Sequence, residues 1–214
     1  VLESQVLAAA DVIIGGHVDR RYAIPTIICH PGPISAASDH FDVQITGVSA
    51  HGARPEEGQD PTPLLATFIQ KVQEIPTRDE HTDSQIVLSI GTITAGKSHN
   101  IIPDNIHISG TIRTQHPITR QWVHNELASI CQDISQPEKK ASVTIATGSP
   151  AIINDPEWMK IVRSGLQTIV ESHHIQKLAK PNMASEDFAY YLTAMKGCFL
   201  RIGARYKSDP FIPA

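Results

Sequence analysis

A mixed α/β fold interrupted by an inserted α+β unit is predicted from three features of the sequence. Short apolar runs suited to buried strands stand toward both ends, Val12-Ile13-Ile14 and "CFLRIG" at 198 to 203. Between them the elements follow the order β-α-β-β-α-β, which predicts a four-stranded antiparallel sheet with two helices on one face. The stretch 30 to 38, "HPGPISAAS", is rich in Pro, Ser and Gly and reads as a crossing between units. The division is therefore 1–36 and 148–214 as incomplete parts of one α/β domain, with 37–147 inserted.

Leu2, Val6, Leu7 and Ala10 share one helical face, and the strand at Val12-Ile13-Ile14 then ends at Gly15-Gly16-His17. His17 is expected just past the carboxyl end of a buried strand, the edge where ligands collect in open α/β sheets. In the insert, Phe41, Val43 and Ile45 alternate with polar residues as a half-buried strand does. Leu64, Leu65, Phe68, Ile69 and Val72 recur at helical spacing behind Asp60 as cap and Pro61 as first helical residue. Strands follow at 85 to 93 and 106 to 114, then a helix through Ile118, Trp122, Val123, Leu127, Ile130 and Ile134, and a last strand at 141 to 147. Beyond the insert, Asp155 caps a helix whose buried stripe is Trp158, Ile161, Val162, Leu166, Ile169 and Val170. Another helix is expected to open at Ser185, with Glu186 and Asp187 at the positive end of its dipole.

The 214 residues are 41% hydrophobic and 19% charged, a globular composition. Eighteen basic against 22 acidic residues, with no dense basic run, argue against nucleic acid or an anionic membrane as partner. No apolar run reaches the roughly 20 residues of a spanning helix, and the start lacks the pattern of a signal peptide, so a cytoplasmic protein is expected. Cys29, Cys131 and Cys198 are too far apart for a thiolate knuckle and read as reduced, buried thiols. The missing initiator Met and the ending "YKSDPFIPA" read as a fragment.

Eleven histidines are dispersed, without H-E-x-x-H. His173-His174 lies in a polar stretch and reads as solvated rather than as a ligand pair. In the insert, His51 at a strand end, Asn100 in "GKSHNIIPD" and Arg113 in "GTIRT" are out of place as packing residues. Arg113 falls with His107, Ser109 and Thr111 on the open face of the sheet, where its planar fork suits a carboxylate. No G-x-S-x-G elbow, P-loop or G-x-G-x-x-G fingerprint occurs.

Four stretches, "GGHVD", "HPGPISAASDHFDVQITGVSAHGARPEEGQDP", "GTITAGKSHNIIPDNIHISGTIRT" and "PNMASEDFAYY", together resemble the dinuclear metallo-amidohydrolases. That group includes hippurate hydrolase, N-acyl-amino-acid amidohydrolases, indole-acetyl-amino-acid hydrolases and, more distantly, carboxypeptidase G. The resemblance implies a metal-bearing catalytic domain, an inserted lid that forms a homodimer, and two divalent ions (Zn, Mn or Co) whose water hydrolyses the amide of an N-acyl amino acid. His17 matches a metal ligand. His51 matches the lid histidine that reaches a partner subunit's site, while Asn100 and Arg113 match lid residues for the substrate's carbonyl and free carboxylate. These three would then converge on one concave place. Glu186 and Asp187 match an acidic pair near the site, without an assigned role.

The sequence departs from that pattern in lacking the upstream "CGHD"-like motif, the Glu-Glu pair and a last ligand His. Arg20-Arg21 also stands where Pro is usual nearby. By itself the segment is expected to hold metal weakly or not at all and to be inactive. The other reading is a non-catalytic dimerisation or carboxylate-binding module that has lost the metal centre.

Overall fold

The computed structural model describes residues 7, 9–78, 85–179, 182–206 and 208–210. The helical face expected at Leu2, Val6, Leu7 and Ala10 lies mostly outside them. The chain divides into two compact units, Val1–Ala36 with Ser149–Ala214, and Ala37–Gly148. In chain order the first unit begins with β1 (Ile13–Ala23), β2 (Ile27–Ile28) and β3 (Gly32–Pro33). The second holds β4 (Ala37–Thr46), β5 (Ala50–His51), α1 (Thr62–Glu74), β6 (Ile86–Ala95), β7 (Ile101–Ile102), β8 (Asn105–Thr114), α2 (Pro117–Ile134) and β9 (Lys140–Ala146). The chain returns to the first with β10 (Ile153–Asn154), α3 (Pro156–Leu166), β11 (Ile175–Gln176), α4 (Ala189–Ala194) and β12 (Gly197–Arg205).

The second unit carries the expected β-α-β-β-α-β order in an antiparallel sheet ordered β6-β8-β4-β9. Alternation explains its two faces. Phe41, Val43 and Ile45 of β4 and Ile106, Ile108 and Ile112 of β8 are buried with Leu64, Phe68 and Val72 of α1 and Val123, Leu127 and Ile130 of α2. Gly110 makes room there: a Cβ would fall 2.4 Å from Phe41 Cζ and 2.2 Å from the Ser89 carbonyl. Asp39 takes a core-facing place on β4, and its carboxylate is saturated. Arg120 donates through Nε at 2.8 Å and Nη2 at 2.5 Å, His124 Nε2 lies at 2.7 Å, and the Gly148 N–H donates at 2.9 Å. The Asp60 side chain accepts from Thr62 N–H at 2.9 Å, so α1 begins at Thr62, one residue later than expected.

In the first unit the sheet order is β1-β12-β2-β11, with β1 parallel to β12. Three expectations are corrected here. The first strand does not stop before His17; it continues to Ala23 because the parallel ladder runs on, pairing His17 with Arg201 and Asp19 with Gly203. Helix α3 has the Asp155 cap, accepting from Glu157 and Trp158 N–H at 2.9 and 3.0 Å, but it stops at Leu166. Met159 is its buried residue, packed with Cys29, Ile175 and Cys198, while Ile161 and Ile169 are 57% and 77% exposed. Helix α4 starts at Ala189 instead of Ser185: Glu186 and Asp187 precede it in a turn, their carbonyls accepting from Ala189 and Tyr190 N–H. The cysteines are free and buried as expected, with burial pushing the thiols of Cys131 and Cys198 up to about 12 and about 11.

Candidate functional site

The two-residue ladder β5–β7 pairs His51 with Ile101, and Gly52 N–H donates to the Asn100 carbonyl at 2.8 Å. Residues 49 positions apart in sequence thus become neighbours on one exposed rim. Glycine at 52 eases this approach, since a Cβ would lie 3.1 Å from Asn100 O. Ala53 N–H donates to His51 Nδ1 at 3.1 Å. A ring that accepts at Nδ1 carries its proton on Nε2 when neutral, so His51 presents an N–H donor to solvent. Ser98 Oγ donates to Asn100 Oδ1 at 2.6 Å, leaving the amide NH2 of Asn100 as its outward donor. Glu56 and Glu57 are exposed beside this rim, with Arg54 3.5 Å from Glu57.

Arg113 is on the open face as expected, half-buried and flanked across the sheet by Ser38 and Val87. It is at the other end of the sheet from His51. Ile106 pairs with Ala95 at the end that leads into β7, and seven residue steps along β8, roughly 24 Å at 3.4 Å per step, separate Ile106 from Arg113. The expected convergence of His51, Asn100 and Arg113 on one place is therefore corrected: a single chain brings the first two together and holds the third apart.

In the first unit, Gly15, His17, Asp19 and Arg21 alternate onto one face of β1, and Phe199, Arg201 and Gly203 onto the same face of β12. A Cβ on Gly15 would sit 2.6 Å from the Phe188 ring, which packs there. His17 is exposed, and its Nδ1 lies 2.6 Å from the Val18 carbonyl. Only a protonated Nδ1 can bond a carbonyl, so in the neutral ring Nε2 keeps its lone pair, the arrangement a metal-binding imidazole uses.

Beside His17 is an ionic group that sequence reasoning missed. Asp19 is 7% exposed; Arg21 Nε donates to both its oxygens at 3.0 and 3.1 Å, and Arg201 Nη1 lies 3.7 Å away. Burial pushes the Asp19 carboxyl up, but the hydrogen bonds and charge of Arg21, with Arg201 behind, hold it below its ordinary value. Burial lowers the Arg201 pKa, and the charges of Asp19 and Glu186 oppose that shift. The charge of Glu186 thus acts on Arg201, the residue that pairs with His17 across the ladder. A lone arginine inside the apolar "CFLRIG" was the available signal.

His17 fits one position of a divalent-metal site by its donor chemistry and free Nε2. Asp19 does not fit, because Arg21 occupies its oxygens. Among the described residues, the one grouping of three close metal donors is elsewhere, at Glu171, His173 and His174.

Residues 35–139 match the family model described as a peptidase dimerisation domain. That segment belongs to this family, and the recognition drawn from the four motifs stands: the chain is similar to proteins named as deacetylase, hydrolase and carboxypeptidase and to a solved dinuclear metal binding peptidase of the M20 family. It is similar to N-acetyl-L-cysteine deacetylase of Bacillus subtilis, 33% identical over 100% of this chain and 51% of that protein. It is also similar to hippurate hydrolase of Campylobacter jejuni, 28% identical over 78% of this chain and 44% of that protein. Among solved structures, the YXEP protein of Bacillus subtilis, described as a dinuclear metal binding peptidase, is 25% identical with a TM-score of 0.76, over 94% of this chain and 50% of that one. The chain spans about half the length of the curated relatives it matches. Among its described residues no helix is long and apolar enough to cross a membrane.

Proposed function

We propose that the protein carrying this chain is a metal-dependent amidohydrolase that cleaves the amide bond of N-acyl amino acids, with His51 as a donor to the carbonyl oxygen. The observation that carries this reading is that the rim brings His51, with Nε2–H outward, and Asn100, whose amide oxygen is taken by Ser98, into neighbouring backbone positions. When an amide is attacked, negative charge grows on its oxygen, and preoriented N–H groups stabilise it more than the ground state. Divalent ions, when bound, supply a water acidic enough to attack at neutral pH. His17 would hold such an ion through Nε2. Arg113 would bind the free carboxylate by its planar fork.

The separation of Arg113 from His51 and Asn100 within one lid supports a site that draws on more than one chain. A substrate of amino-acid size cannot span roughly 24 Å, so an active site using all three residues takes the His51 rim from one subunit and Arg113 from another. The outer strand β6 gives a means of association, because it is a ten-residue edge with Val87 and Ile93 38% and 46% exposed. Light scattering at micromolar concentration is expected to find a dimer. Monomer alone would remove the basis for catalysis across subunits.

Incubating the full-length protein with N-acetyl- and N-benzoyl-amino acids plus Zn, Mn or Co is expected to release free amino acid, and chelation to stop it. Absence of metal-dependent release would leave the second reading, a non-catalytic dimerisation or carboxylate-binding module.

A further inference from the structure

We propose that Glu171, His173 and His174 form a peripheral site for a late first-row divalent cation such as zinc, separate from His17. The backbone makes the site. Glu171 caps a single 3-10 turn, Ser172–His174, which the His174 N–H closes by donating to the Glu171 carbonyl at 2.9 Å. Glu171 and His174 bracket this turn, and a donor atom of one lies within 4.8 Å of a donor atom of the other. His173 completes the group: its Nδ1 is 3.3 Å from Glu171 Oε2, and its ring centroid is 3.8 Å from that of His174.

One donor atom from each residue lies within 4.8 Å of the other two. Ligands on a tetrahedral ion at metal–nitrogen distances of about 2.0 Å stand roughly 3.3 Å apart, so closure needs shifts of about an ångström in side chains that face solvent. Two imidazoles with one carboxylate make an N2O donor set, which suits zinc, cobalt, nickel or copper and not calcium or magnesium. Water would complete the shell.

The turn is anchored on its C-terminal side, which limits the ordering that a cation must impose. Ile175, the next residue, is 3% exposed and pairs with Ile27, while Arg163 Nη2 donates to the Ile175 carbonyl at 3.1 Å. Nothing in this site depends on amide hydrolysis or on residues of the lid.

The test uses the 214-residue chain, Zn2+ titrated calorimetrically and Co2+ followed by its visible absorption. The wild-type and His17→Ala proteins should each bind one equivalent at this site. His173→Ala and His174→Ala, both surface changes, should weaken that binding at least tenfold, and Glu171→Gln by less. The proposal is overturned if the wild type takes up no zinc at micromolar concentration, or if the double variant His173→Ala/His174→Ala binds it unchanged. Failure of the hydrolase assay would leave these outcomes as they are, so the two readings are separable.

Discussion

Replacing His51 by alanine in the full-length protein is expected to lower kcat by about 100- to 1000-fold, the range seen when one oxyanion donor is removed, with bound metal unchanged. The expectation follows from the tautomer. Because Ala53 N–H engages Nδ1, the outward nitrogen of the neutral ring is a donor, which suits the proposed contact with an oxygen and does not suit ligation of an ion. Kinetics with metal analysis on the same samples check both halves. Loss of metal along with activity would make His51 a ligand, and unchanged turnover would end its role at the carbonyl. If the His51 rim of one subunit serves another, mixing His51→Ala with Arg113→Ala subunits should restore part of the activity that each variant lacks alone.

Asp39→Ala is expected to destabilise the Ala37–Gly148 unit by about 3–5 kcal/mol, the usual cost of removing one partner from a buried ion pair. The deletion leaves Arg120 and His124, each 16% exposed, without the carboxylate that compensates them, and frees the Gly148 N–H that ties the end of this unit to its start. Urea unfolding measures it. The pH dependence has a definite sign. Burial pushes the Asp39 carboxyl up, but hydrogen bonds from Arg120, Gly148 and His124 and the charge of Arg120 leave it below the ordinary carboxylate value of 3.8. Its stabilisation is then fully present above that value and is lost as pH falls through the lower folded-state pKa. In Asp39→Asn that acid loss should flatten; an acid limb identical to wild type would show that other carboxylates govern it.

The elements of the Ala37–Gly148 unit were legible because their signals are local. The alternation on β4 and β8 and the 3.6-residue stripes of α1 and α2 each bury one face, and the structure keeps those faces. Asp39 sits in that alternation where an apolar residue would be expected, yet its partners Arg120 and His124 are 81 and 85 positions away, and no spacing rule connects them. At "GGHVDRR" the glycines read as the end of a strand. Backbone hydrogen bonding to β12 carries the strand through them, because the parallel partner offers its ladder whatever the side chains are. In α3, hydrophobic periodicity continues past Leu166, but the helix does not, and Ile169 is left in solvent.

The sequence by itself determined the class of fold, the two-helix insert and which side chains are chemically out of place, since these depend on periodicity and residue type within short windows. Tertiary structure alone decided which of them meet. A two-residue ladder joins His51 to Asn100, and the length of β8 holds Arg113 apart. Distance between side chains is set by strand pairing and register, which are collective properties of the packed chain, and no local pattern encodes them.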